Sequence, residues 1–371
     1  MRILQLIPSL VGGGAESQLA LLAPALCRLG VDTHVGYVHP GVHLAPLQNS
    51  SVRLHYIPSR ANGDPLIVLR IARLIRQIQP AIVHTWLTQM DVLGGMAAFL
   101  TGTSHIISER SSALAYPRTW KNRLRARVGS GAAAVIANSR GGADYWAMVK
   151  ESLPRVVIGN GIPFERIAAA GTADSTTLGL GEDMRLILFA GRLNPEKNLE
   201  VLISALDTVL RNKLDCAAVL FGEGPLREAL RAQISKSPVR ERLRLEGYTS
   251  SLWSWMRRAS VFVSASRFEG HPNVVLEAMA AGCPVVVSDI PQHREILDES
   301  SALFCSGNSA AEVATKIRCA LDDREGTRCR RDAALRRTAS WSIETAAKGF
   351  LDVYDSVAQH ASLVRSRELE R

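Results

Sequence analysis

Four charged side chains lie on loops that follow strand-like runs: Arg192 and Lys197 in F-A-G-R-L-N-P-E-K-N, and Glu269 and Glu277 in R-F-E-G-H-P-N-V-V-L-E-A-M. Two cations can neutralise a diphosphate, and two carboxylates can accept hydrogen bonds from hydroxyls. A ligand offering both groups, such as a nucleotide sugar, suits the set. The spacing predicts Asn194 as an N-cap and Pro195 as a first helical residue, so a helix start adds its dipole and amides to the two cations. After the run Val261–Ser264, Gly270 permits close backbone approach, and Pro272-Asn273 open a helix that carries Glu277. Read alone, each feature has a plain alternative: Lys and Arg are common on surface loops, and a Glu near a helix start commonly complements the dipole.

These loops need a frame, and apolar runs supply it. Strand-like segments at 3–7, 33–37, 52–57, 81–84, 105–108, 133–138 and 155–158 alternate with helix-like ones, and the alternation restarts at 185–190, 217–221, 243–246, 261–264, 285–287 and 302–304. Such alternation builds parallel sheets covered by helices. Residues 172–182, rich in Thr, Gly, Ser and acids, read as a linker. Two α/β domains follow, 1–165 and 178–340, with a final helix at 343–361 that needs a docking surface for its apolar stripe. Pro24 predicts a kink or early stop in the first helix. The charged stretch Ser362–Arg371 is expected to fray.

The chain has 371 residues, 47% of them hydrophobic and 21% charged, which is globular and too long for one comfortable core. Its six cysteines form no C-x-x-C pair, which argues against a disulfide framework and a zinc site and fits a cytoplasmic setting. No apolar run reaches the roughly 18–20 residues of a spanning helix. The net charge of +9 comes from the first 170 residues, which hold 17 Lys/Arg against 8 Asp/Glu. The densest part, residues 116–128, mixes arginines with Trp120 and aliphatic anchors, the pattern of a segment that lies on an anionic membrane, here the inner face of the plasma membrane. A solvated basic helix face is the plain alternative. Nothing matches a nucleic-acid-reading module.

The motifs together resemble the group 1 domain of the family 4 glycosyltransferases: F-A-G-R-L-N-P-E-K-N, F-G-E-G-P-L-R at 221–227, and E-G-H-P-N-V-V-L-E-A-M-A-A-G-C-P-V-V at 269–286. The likeness extends to Gly12-Gly13-Gly14-Ala15-Glu16, to Val135–Ser139 and to Ile158–Ile162, and so covers nearly the whole chain. It implies the GT-B fold, two Rossmann-like domains with parallel sheets facing across a cleft, the C-terminal helix packing back on the N-terminal, acceptor-binding domain. It implies Arg192 and Lys197 as diphosphate ligands, Glu269 as the partner of donor-sugar hydroxyls and Glu277 as the ribose ligand. Gly270 with the amides of Asn273 and Val274 would reach phosphate or sugar, and Tyr248 would border the base. Gly13 and Gly14 let backbone amides approach a phosphate or sugar.

His84 closes a strand where ligand-facing residues sit, and the resemblance puts a histidine near the reacting sugar. Position 86, where many relatives carry one, is Trp. Ser108-Glu109-Arg110, after the next strand, would face the acceptor on the same logic. The implied reaction is retaining transfer of a hexose from a nucleoside diphosphate sugar, a UDP-sugar, to a hydroxyl of a glycan or lipid-linked saccharide in cell-surface polysaccharide synthesis. No cofactor or metal is called for, since the chain lacks a D-x-D triplet and protein cations stand where a metal would. A sugar-nucleotide epimerase and a non-catalytic nucleotide-sugar binder share the layout. A nicotinamide dehydrogenase does not fit, because the spacing is not G-x-G-x-x-G and no acid ends the second strand.

Overall fold

The computed structural model describes residues 1–61, 64–113 and 116–369, with side chains through Leu363. Its chain divides into two units, Met1–Gly161 with Trp341–Arg371, and Ile162–Ser340. The stretch read as a linker belongs to the second unit. Its Ser175–Leu178 forms a 3₁₀ turn, and the Ala173 amide donates to the Ser254 carbonyl at 3.1 Å.

The first unit is built on β1 (Arg2–Ser9), β2 (Asp32–His39), β3 (Arg53–Tyr56), β4 (Ile82–Trp86), β5 (Ser104–Glu109), β6 (Ala134–Ala137) and β7 (Arg155–Val157). They pair in parallel in the order β3-β2-β1-β4-β5-β6-β7. The second has β8 (Arg185–Ala190), β9 (Cys216–Phe221), β10 (Leu243–Glu246), β11 (Val261–Ser264), β12 (Val285–Ser288) and β13 (Leu303–Cys305), in the order β10-β9-β8-β11-β12-β13. Central strands such as β9 and β12 are buried along their length, which is why they read as unbroken apolar runs. Each order reverses once, between β1 and β4 and between β8 and β11. At such a switch point the loops leaving the strand ends part and open a crevice for a ligand.

The helix Gly14–Arg28 runs through Pro24 instead of stopping there. Its buried face, including Leu19, Leu22, Ala23 and Leu26, holds the helix against the sheet, and tertiary packing outweighs the lost hydrogen bond. The final helix, Ile343–Leu369, returns to the first unit and places Ile343, Ala347, Phe350, Val353 and Tyr354 in its core. Its backbone stays helical past Ser362, where fraying was expected; Glu370 and Arg371 lie outside the described residues. Tyr354 fastens it, accepting from Gln5 Nε2 at 2.9 Å and lying 2.7 Å from His84 Nδ1, while Trp86 Nε1 donates to Gln5 at 2.7 Å.

Beside this core lies a buried charged cluster. Arg125, 1% exposed, donates to Asp91 and Glu109, each at 2.7 Å, and lies over the Tyr116 and Trp146 rings. The Trp146 indole also donates to Glu109. Burial raises the Asp91 carboxyl to about 6 although Arg125 opposes it.

Candidate active site

Arg192 and Lys197 leave β8 and Glu269 leaves β11, so both groups stand at the switch point of the second sheet. Gly222 and Gly224, after β9, set the shape of the Arg192 loop. A Cβ on Gly222 would fall 1.9 Å from the Gly191 carbonyl oxygen, and one on Gly224 2.7 Å from the backbone of Leu193. Only glycine lets the two loops lie backbone on backbone, and the Leu193 amide closes the contact by donating to the Glu223 carbonyl at 2.8 Å. The helical start expected at Pro195 is split: a 3₁₀ turn covers Pro195–Lys197, Asn198 follows in the left-handed region at φ 55°, and the helix proper is Leu199–Asn212.

Lys197 Nζ lies 2.5 Å from Glu269 Oε1, both side chains nearly buried. The same oxygen accepts from Ser266 Oγ at 2.7 Å, and the Arg267 amide donates to the Glu196 carbonyl at 2.8 Å, tying the two loops together. Behind Ser266, Ser288 Oγ donates to its carbonyl at 2.5 Å, and His293 Nδ1, which must carry the proton, donates to the Ser288 carbonyl at 2.7 Å. Burial pushes the Glu269 carboxyl up. The charge and hydrogen bond of Lys197, with smaller help from His293 and Ser266, outweigh it, and the net shift is downward. Glu269 is therefore an ionised acceptor at neutral pH, and the Lys197 ammonium keeps two N–H groups beyond the one it gives Glu269. Arg192 is exposed and makes no ion pair among the described residues.

Glu277 lies on the helix Asn273–Ala280 and has a different environment. Its Oε2 accepts from Trp253 Nε1 at 2.9 Å, and Arg166 lies over that indole at 5.2 Å. Burial raises its carboxyl to about 7, against the Trp253 hydrogen bond and the Arg166 charge. Trp253 was not singled out from the sequence, where it stands two residues before Trp255 in L-W-S-W-M and the pair reads as core. Gly270 lies in the loop before this helix, Asn273 and Val274 form its first turn, and Tyr248 is 68% exposed on the loop after β10.

In the first unit, Gly13 precedes the helix that Gly14 opens, after β1. A Cβ on Gly13 would meet Glu16 Oε2 at 2.5 Å, and Glu16 also accepts from Ser9 Oγ at 3.0 Å. A carboxylate over the turn disfavours a phosphate there and favours a hydroxyl. His84, expected near a reacting sugar, has 0% exposure and is enclosed by Trp86, Phe350 and Tyr354. Burial, then the charges of Arg110 and His105, hold its ring well below the usual histidine range, so it is neutral. Glu109 is likewise fully buried, committed to Arg125, Trp146 and Tyr116 and not to an acceptor. Arg110 stacks 4.1 Å over Trp86 and donates to Ser108 and Asn160. Among the described residues no group of His, Cys, Asp and Glu is placed to hold a metal ion.

Known proteins are similar to this chain in sequence and in fold. Residues 12–166 match the family model described as Glycosyltransferase Family 4, and residues 184–323 that described as Glycosyl transferases group 1. The phosphatidyl-myo-inositol mannosyltransferase of Propionibacterium freudenreichii is 30% identical over 90% of this chain and 86% of its own. The UDP-Gal:alpha-D-GlcNAc-diphosphoundecaprenol alpha-1,3-galactosyltransferase of Escherichia coli is 25% identical over 65% and 67%. The crystal structure of HepE from Anabaena in complex with UDP-glucose superposes with a TM-score of 0.85 at 20% identity, covering 96% of this chain and all of that one.

Proposed function

Because the chain belongs to the group 1, family 4 glycosyltransferases, enzymes of GT-B fold that transfer hexoses with retention, we propose that it moves a sugar from a UDP-sugar to a hydroxyl of a lipid-linked saccharide. The observation that carries the proposal is the Lys197–Glu269 pair at the β8/β11 switch point, on a loop that also carries Arg192: a cation and an ionised acceptor held together where a ligand crevice opens. The relative named for UDP-Gal and a diphosphoundecaprenol acceptor, and the structural neighbour solved with UDP-glucose, support the donor and acceptor classes.

In this mechanism Arg192 and the remaining N–H groups of Lys197 hold the diphosphate, and their charge is worth most as the glycosidic bond breaks and negative charge grows on the leaving oxygen. Glu269 takes hydrogen bonds from the donor sugar, and Glu277 from ribose. The departing phosphate lies on the face the acceptor attacks and takes the acceptor proton, so no general base and no metal enter the scheme. His84 holds the core around Tyr354 and does not touch the sugar. Incubation with a panel of UDP-sugars tests the class: donor consumed quickly only when a saccharide acceptor is added supports transfer, whereas conversion of donor alone to its epimer, or binding without turnover, refutes it.

The membrane reading takes a narrower form. Arg125 is buried, so the proposed surface is Arg118, Trp120, Lys121, Arg123 and Arg127, with Trp120 70% exposed. Cations flanking an exposed Trp suit an anionic lipid surface. Among the described residues no helix is long and apolar enough to cross a membrane.

A further inference from the structure

The second unit has a cavity of about 500 Å³ at the carboxyl ends of β11, β12 and β13, lined in part by Ser266, whose hydroxyl donates to Glu269. Its size lies within the roughly 300–1,000 Å³ range of small-ligand clefts. Ser266 and Arg267 line it from β11, Asp289 from β12, and Ser306, Asn308 and Glu312 from the turn and helix after β13. Part of this lining is already committed. Asp289 is held in a two-point pair with Arg294 at 2.6 and 2.8 Å, and Glu312 Oε1 accepts from the Ser306 amide at 2.9 Å.

Arg267 and Asn308 are different. Among the described residues neither the Arg267 guanidinium nor the Asn308 carboxamide, both on exposed residues, has an ion pair or side-chain hydrogen bond, although the Arg267 backbone is fixed to Glu196 and the Asn308 backbone amide donates to Ser306 Oγ at 3.4 Å. The wall thus offers free donors, hydroxyls and two carboxylates. With Asp289 neutralised by Arg294, Arg267 faces only the Glu312 carboxylate, and this near balance of charge gives a phosphate no net attraction. Donors and acceptors in near balance suit an uncharged ligand dense in hydroxyls, each of which donates and accepts.

We propose that this cavity is a second carbohydrate subsite, taking one neutral sugar unit beside the place where Glu269 meets the donor hexose. It rests on the donor reading only for that neighbourhood; the binding chemistry belongs to Arg267, Asn308 and Glu312. The sugar is a unit of the acceptor chain or a free saccharide, and the test separates the two.

Saturation-transfer NMR on the full chain, with methyl α-glycosides of glucose, galactose, mannose and N-acetylglucosamine, reads the site directly with and without saturating UDP. At least one glycoside should bind in both conditions. Removing the guanidinium in Arg267→Ala costs a hydrogen bond or two and should weaken it about fivefold or more. Filling the cavity with Asn308→Trp should abolish binding, and both variants should keep UDP affinity and circular dichroism unchanged. Tighter binding of a disaccharide glycoside assigns the unit to an acceptor chain, and equal binding assigns it to a free sugar. Silence from every glycoside, indifference to both variants, displacement by UDP-glucose but not UDP, or preference for glucose 6-phosphate would overturn the proposal. If UDP fails to bind while glycoside binding still depends on Arg267, the donor reading falls and the subsite stands.

Discussion

The affinity for a UDP-sugar should rise with pH through neutrality, and Glu277 should be the cause. Burial lifts its carboxyl to about 7. Trp253 occupies Oε2, which leaves the other oxygen for a ribose hydroxyl. A carboxylate accepts that bond far better than a neutral carboxyl. With a pKa near 7, the ionised fraction climbs from about one tenth at pH 6 to about nine tenths at pH 8, so affinity should improve nearly tenfold, about 1.4 kcal/mol. A UDP-sugar is the right probe, because the terminal phosphate of free UDP titrates near pH 6 and would blur the profile.

The same shift has a stability consequence of opposite sign. The folded pKa is raised above the unfolded value of 4.5, so stability is complete below about 4.5 and is lost as pH rises toward 7, by at most about 3 kcal/mol. Glu277→Gln removes that loss and can still accept from Trp253. It should melt at or above the native temperature at pH 8 and bind UDP-glucose weakly, with no pH dependence. Isothermal titration between pH 6 and 8 decides: a native profile that is flat, or a Gln variant that keeps the slope, refutes the assignment of ribose to Glu277.

Three further outcomes follow from the same geometry. Lys197→Ala should lower kcat by about 10²–10³, the loss typical of a group that stabilises a developing oxyanion, with acceptor KM little changed; an unchanged turnover number would remove Lys197 from the mechanism. Arg125→Met leaves Asp91 and Glu109 buried without their cation and should cost about 3–5 kcal/mol in urea unfolding, whereas a loss within experimental error would mean the cluster is not the buried ion triad described. Cosedimentation with anionic vesicles should fall when salt is raised and when Arg118, Lys121, Arg123 and Arg127 are changed to Gln, and should fall again in Trp120→Ser; binding that ignores salt and all five changes would refute the lipid surface.

The strands were legible because strands buried on both faces have no polar side to hide them; β8 and β11 begin and end where the apolar runs do. Helices were less so. Leu87–Thr101 is apolar nearly all round and shows no 3.6-residue period, and Trp120–Gly129 is so basic that its one buried guanidinium is lost among the exposed ones. The signal for Arg125 lay elsewhere, in Asp91 amid L-T-Q-M-D-V-L-G and Glu109 at a buried strand end, acids that demand a cation. At the candidate site, residue types and spacing named Lys197 and Glu269. Their direct pairing across 72 positions depends on loop shapes that no local pattern encodes. The loop contact at Gly222 is of the same kind: the glycine is visible, the carbonyl it must clear is not.

The return of the helix Ile343–Leu369 to the first sheet imposes an order on how the protein forms. Residues 162–340 are contiguous and can collapse as soon as they are made, but the earlier-synthesised unit waits for Tyr354 to partner Gln5 Nε2 and His84 Nδ1. On the ribosome the older half is therefore the later to mature. Until the final helix arrives, its apolar groove is the surface a chaperone would be needed to cover.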